Sequence, residues 1–261
     1  MNDSVRYEVH DTDGVATITL DRPEKRNALD PDAIDGLEAA FAAAEAEDRA
    51  RVLFVNGSGK DFCAGADIMH IEALVDATRE ALVADARRLG RLFVRMRRLP
   101  KPIVAAVHGN ALAGGAGLAT ACDIVLASDD AHFGYPEIHI GFVPAMVMTM
   151  LVRCVGEKRA FELVTSGRRV GAEEAIAMGL VHCVYSRHTF ADDSRAYAVE
   201  LAARSATSLA MSKCLLYEID EMTFEEGIER GAQVNADARQ TEDCRAAVRA
   251  FLSRKIDREG P

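Results

Sequence analysis

Apolar and polar positions along the chain change their period several times, and each change predicts an element. Tyr7-Glu8-Val9-His10 and Val15-Ala16-Thr17-Ile18-Thr19-Leu20 flank Asp13-Gly14, a turn dipeptide that suits a tight hairpin, so two paired strands are expected. Asp30-Pro31 reads as an N-cap followed by a first-turn proline, and the Ala- and Glu-rich run to Glu45 continues a helix. Val52-Leu53-Phe54-Val55-Asn56 is a short β-branched strand ended by Gly57-Ser58-Gly59. Over 71–97 apolar residues such as Leu74, Leu82, Leu89 and Phe93 predict one long helix, stopped by Pro100 and Pro102. Ile103-Val104-Ala105-Ala106-Val107 and Ile124-Val125-Leu126-Ala127 are again strands. Beyond Glu157 the pattern is helical, near 157–166, 172–178, 189–204, 206–220, 223–236 and 241–253. A single strand at Val181-His182-Cys183-Val184 interrupts it. Buried strands alternating with helices argue an α/β fold, with the last helices packed on its core or on a neighbouring subunit.

Composition narrows the class. Of 261 residues 49% are apolar and 28% charged with mixed sign, which excludes wholesale disorder and suits one large domain or a domain with an extension. Thirty-one basic against 41 acidic residues leave −10, a poor match for nucleic acid or an anionic membrane. The six cysteines lie roughly thirty or more residues apart and the seven histidines show no H-x-x-x-H pairing, so no metal site is expected. Buried thiols in a reducing compartment are the plain reading. The N-terminus lacks the basic and apolar regions of a signal peptide. From Pro102 to Cys122 no residue is charged apart from His108, but the stretch is built of Gly and Ala and reads as strand, turn and helix rather than a membrane span. A cytoplasmic protein follows. His108 is expected to be a satisfied core histidine.

Familiar nucleotide and hydrolase signatures are missing. Gly57-Ser58-Gly59-Lys60-Asp61 lacks the first glycine and the hydroxyl residue of a phosphate loop. No G-x-G-x-x-G follows a strand and no G-x-S-x-G elbow is present. Three other segments carry candidate chemistry. They are Asp61-Phe62-Cys63-Ala64-Gly65-Ala66-Asp67-Ile68 after a strand, Gly109-Asn110-Ala111-Leu112-Ala113-Gly114-Gly115-Ala116-Gly117 leading into a helix, and Phe133-Gly134-Tyr135-Pro136-Glu137, a turn with one carboxylate. Glycine-rich turns let backbone N–H groups approach a ligand, and a helix N-terminus adds positive potential. Two such N–H groups aimed at one oxygen form an oxyanion hole. Each segment alone is equally an ordinary turn.

Together, in this order, the segments resemble the enoyl-CoA hydratase/isomerase (crotonase) superfamily. Leu20-Asp21-Arg22-Pro23-Glu24-Lys25-Arg26-Asn27-Ala28-Leu29 looks like that family's first block. Cys122-Asp123-Ile124, Ser166-Gly167, Ala172-Glu173-Glu174-Ala175 and Gly179-Leu180-Val181 look like later ones. The resemblance implies a ClpP/crotonase-like spiral β/α core over 1–195 and a C-terminal helical trimerisation or lid region over 196–261. It implies an acyl-CoA thioester substrate, no separate cofactor because coenzyme A is part of the substrate, and self-association as a trimer or dimer of trimers. Carried over residue by residue, the oxyanion hole is the amides of Ala66 and Gly114, and Glu137 is the catalytic acid/base. Lys25, Arg26, Ala28, Ala64, Asp67, Ile68 and Gly117 are substrate-binding positions. Arg254-Lys255 is a solvated helix end, or a contact to a CoA phosphate.

The chain also departs from the family pattern. Hydratases of the family hold a water with two glutamates; one matches Glu137, and the other falls at Gly117. One carboxylate beside an oxyanion hole suffices for double-bond isomerisation, so that reaction is favoured. Hydration with another partner for the water, in fatty-acid or branched-acyl degradation, and non-catalytic acyl-CoA binding remain alternatives. A turn carboxylate after Pro136 is the plain alternative for Glu137. The run Gly141-Phe142-Val143-Pro144-Ala145-Met146-Val147-Met148-Thr149-Met150 contains no carboxylate and reads as a core helix that lines part of an acyl pocket.

Overall fold

The computed structural model describes residues 3–10 and 12–259, with side chains described as far as position 253. In chain order the elements are β1 (Val5–Val9), β2 (Val15–Leu20), α1 (Pro31–Ala46), β3 (Val52–Gly57), α2 (Ile68–Ala73), α3 (Arg79–Arg98), β4 (Ile103–Val107), β5 (Asn110–Leu112), α4 (Gly114–Ala121), β6 (Ile124–Ser128) and β7 (His132–Gly134). There follow α5 (Ala145–Val155), α6 (Glu157–Ser166), β8 (Arg169–Gly171), α7 (Ala172–Met178), β9 (Cys183–Tyr185), α8 (Phe190–Ala202), α9 (Ala206–Glu218), α10 (Phe224–Gln240) and α11 (Glu242–Glu259).

The expected hairpin pairs β1 with β2 antiparallel, Val5 opposite Leu20 and Val9 opposite Ala16. Parallel strands extend it into a six-stranded sheet in the order β1-β2-β3-β4-β6-β9. Parallel strands are covered on both faces, which is why β4 reads as an unbroken apolar run. Alternate side chains go to opposite faces. Ile18, Leu53, Val55, Ile103 and Ala105 join a core with Leu37 and Phe41 of α1 and Leu92 and Met96 of α3. Val15, Val52, Phe54, Val104 and Ala106 join Phe190, Ala198 and Ala202 of α8. A second sheet, β5-β7-β8, holds the glycine-rich segment before α4 against the turn that carries Glu137.

Five readings change. The long helix expected over 71–97 is two. Asp67 caps α2 through the amide of Met69, and the Thr78 hydroxyl caps α3 through the amide of Ala81, so the side-chain caps outcompete a continuous helix. β5, β7 and β8 are three residues each, too short for periodicity to announce them. The late strand lies at Cys183–Tyr185 rather than 181–184. His108 is only half-buried, with its Nε2 donating to the Gly59 carbonyl at 3.1 Å. All six cysteines are free; Cys63 and Cys122 are buried, but Cys154 is exposed.

The chain forms two compact units dividing at Ala202/Ala203; α8 runs unbroken through position 195 to that point. In the second unit α10 opens on a capping box between Thr223 and Glu226, and Glu218 of α9 pairs with Arg230 of α10 at 2.6 Å. Leu216, Phe224, Ile228 and Phe251 of this unit are exposed. Among the described residues no helix is long and apolar enough to cross a membrane.

Candidate active site

Three loops are laced into one frame. Residue 27 is its knot. Asn27 is buried with φ 56°, and its side-chain amide donates to the carbonyls of Ser58, Asp61 and Phe62 at 2.9, 2.8 and 3.2 Å. Its Oδ1 accepts from the Arg22 amide at 2.9 Å. The segment from Asp61 to Asp67 then bonds on both sides. On one side Ala64 donates to Arg26 (2.9 Å), Leu29 to Gly65 (2.7 Å) and Asp67 to Leu29 (2.9 Å). On the other, Phe62 donates to His108, Cys63 to Asn110 and Leu112 to Cys63, all at 3.0 Å. Such closeness requires glycine. A Cβ on Gly115 would lie 2.4 Å from the Cys63 carbonyl oxygen.

The frame leaves two amides free. Gly65 and Asp67 serve Leu29, so the Ala66 N–H between them points away from that ladder. Gly114 is the first residue of α4, where an N–H has no partner within the helix. Among the described residues no backbone carbonyl accepts from either. A Cβ on Gly114 would lie 3.9 Å from the Ala66 nitrogen, beside Leu29 and Leu89. Ala113, just before, sits at φ 50°, ψ −124°, a region that costs a residue with a side chain ~1–3 kcal/mol. Its amide is anchored on the Gly134 carbonyl at 2.8 Å, which ties the strained turn to β7.

Glu137 follows β7 in a single turn of 3-10 helix over 136–140. It is buried, and among the described residues its Oε2 has no hydrogen-bond partner. Burial pushes its carboxyl above the ordinary glutamate value, against a smaller opposing contribution from a backbone hydrogen bond. Nearby in sequence, the buried Tyr135 hydroxyl meets Thr120 Oγ1 at 3.2 Å, and Thr120 donates to the Ala116 carbonyl at 2.6 Å. These bonds secure the turn to the underside of α4.

The remaining candidate positions divide by what they touch. Lys25 Nζ lies 3.3 Å from Asp67 Oδ2, and Arg26 Nε 2.7 Å from Asp61 Oδ2; both basic side chains are half exposed. Asp67 also caps α2 and meets Arg22 at 3.5 Å, so its carboxylate is occupied within the frame. Ala28 is buried, with its carbonyl accepting from Arg22 Nη1 at 2.8 Å. Ala64 is half-buried and Ile68 is exposed at the head of α2. Gly117 is buried within α4 against Val147 and Phe93. The Arg254-Lys255 side chains lie outside the described residues. Asn27 and Asp61, which hold the frame, stand in the quoted segments, but nothing in their spacing announces which carbonyls they tie. Val147 could be placed on a helix, not beside Gly117. That helix, α5, starts only at Ala145 and leaves Phe142 and Val143 exposed, so the expected core run is shorter than its apolar residues suggested.

Comparison with known proteins gives the family. The family described as enoyl-CoA hydratase/isomerase matches residues 10–258. A Thermus thermophilus protein named "Putative enoyl-CoA hydratase" is 41% identical over 244 residues, spanning 94% of this chain and 96% of that one. The 2,3-dehydroadipyl-CoA hydratase of Escherichia coli is 32% identical over 92% of this chain and 93% of its own. The crystal structure of an enoyl-CoA hydratase of Mycobacterium smegmatis superposes with a TM-score of 0.91 at 31% identity, covering 96% of both chains. The chain therefore belongs to the enoyl-CoA hydratase/isomerase family of acyl-CoA enzymes and has its crotonase fold.

Proposed function

We propose that this enzyme is an enoyl-CoA isomerase working with one carboxylate. The thioester oxygen of a 3-enoyl substrate accepts hydrogen bonds from the Ala66 and Gly114 amides. Glu137 takes a proton from C2, and the resulting enolate is stabilised by those two donors, each worth ~10²–10³ in rate. The protonated Glu137 returns the proton to C4, and the double bond moves to the 2,3 position. No water enters and no other group changes its proton count. A carboxyl raised by burial is a stronger base than an ordinary one, which suits abstraction beside a thioester. The half-exposed Lys25 and Arg26, with Ala28, Ala64, Asp67 and Ile68, would hold the CoA portion, and Gly117 would lie along the acyl portion.

The observation that carries this reading is the pairing of an unpartnered buried carboxylate oxygen at Glu137 with an apolar neighbourhood at Gly117. A second reading, hydration, is favoured by the hydratase names of the relatives. A panel of 2-enoyl- and 3-enoyl-CoA thioesters tests both with purified protein. Isomerisation without appreciable hydration supports the first reading. Strong hydration of crotonyl-CoA would replace it with the second, and binding without turnover of any thioester would remove both.

A further inference from the structure

The missing side chain of Gly117 defines a direction, and that direction is filled. A Cβ at this position would lie 2.5 Å from Val147 Cγ2, and 3.4 Å from both Val147 Cγ1 and Phe93 Cζ. The first distance is far inside carbon–carbon contact, which is ~3.5–4.0 Å. Val147 of α5 is 3% exposed and Phe93 of α3 is 7% exposed, so neither has solvent to move into. Valine in a helix keeps one strongly preferred rotamer and cannot swing aside as a methionine would. Helices α3 and α4 also border the two free amides one turn away. Gly114 precedes Gly117 by three residues on α4, and Leu89, beside Gly114, precedes Phe93 by four on α3.

We propose that Val147, backed by Phe93, is a specificity-determining residue of the acyl site. It fills the room that a side chain at position 117 needs, and so keeps a second acid/base group, and any water that group would hold, away from the acyl carbons. Its chemical consequence rests on the single-glutamate reading; its steric core does not. Isomerisation relocates one proton of the substrate, whereas hydration adds a hydrogen to C2 and a hydroxyl to C3 from water. Excluding that water selects between the two.

The test combines thermal unfolding with the ratio of hydration to isomerisation, using crotonyl-CoA and a 3-enoyl-CoA. Gly117→Ala should lower the melting temperature, and adding Val147→Ala should recover most of the loss. Gly117→Glu alone should fold poorly or fail to hydrate. Gly117→Glu with Val147→Gly should fold and raise the ratio by ~10²-fold, the scale of a positioned acid/base. Val147→Ala alone, which creates no clash, should also raise the ratio. If Gly117→Ala melts like wild type, with or without the change at 147, Val147 does not hold this space and the proposal fails. It also fails if the two positions are coupled in stability but every folded variant keeps the wild-type ratio. Strong hydration by the wild type is a different result: it removes the single-glutamate reading, while the melting data still judge the packing.

Discussion

Burying a carboxyl group with one oxygen unpartnered disfavours its charged form, and Glu137 is buried in this way. Its raised pKa follows from the burial, and the sign of the pH dependence follows in turn. A general base works only when ionised, so kcat/KM for isomerisation should fall on the acid side with an apparent pKa above 4.5, the ordinary glutamate value. Glu137→Gln should retain acyl-CoA binding, abolish that limb and cut turnover by ~10²–10⁴. Turnover near the wild-type level in this variant would mean that another group moves the proton. The amides make a separate, geometric prediction. In a complex with an acyl-CoA, the thioester oxygen should lie ~2.7–3.1 Å from the nitrogens of Ala66 and Gly114.

At the scale of elements, the site depends on loops held by buried polar groups. Asp61 is an ionisable one among these ties. Burial of its carboxyl opposes ionisation, but hydrogen bonds from Arg26 and Asn110 outweigh this and hold its pKa down at about 2. A carboxyl depressed from 3.8 in the fold contributes stability that is complete above that value and is lost as pH falls toward about 2. Asp61→Ala would leave the Asn110 amide without its acceptor, at a cost of ~1–3 kcal/mol. Urea denaturation should show that loss at pH 7, and a smaller difference from wild type near pH 3. An equal difference at both pH values would mean that ionisation of Asp61 contributes nothing. Elements announced by a repeated pattern or a cap, such as β2, α1 and β4, were legible from the chain alone. The split between α2 and α3 was not, because apolar spacing continues through 74–78 while α2 ends at Ala73 and the Thr78 cap starts a new helix.

For the whole molecule, the second unit poses the main physical question. Leu216, Phe224, Ile228 and Phe251 are 59, 79, 61 and 67% exposed, more apolar surface than a short helical unit gains by leaving in water. Burial against further copies of the chain would remove it. Light scattering at micromolar concentration should therefore give a trimer or hexamer of the 28.2 kDa chain. Replacing Phe224 and Ile228 with polar residues should shift the protein toward smaller species. Only monomer from the unaltered protein would contradict the expectation.

The chain by itself determined the α/β class and the family, and it singled out the segments proposed to carry the chemistry. These depend on local signals: strand and helix periods, glycines where a backbone must turn or approach, and motifs in a fixed order. It also showed that position 117 lacks a carboxylate. Only the tertiary structure decided what stands in its place. Val147 meets Gly117 across two helices separated by two strands and a 3-10 turn, and no sequence period relates them. The same holds for the carbonyls that Asn27 ties and for the groups that Asp61 holds, which lie 31–49 residues away. Side-chain direction in a packed interior is fixed by neighbours distant in the chain, so the shape of the site emerged only when the loops were brought together.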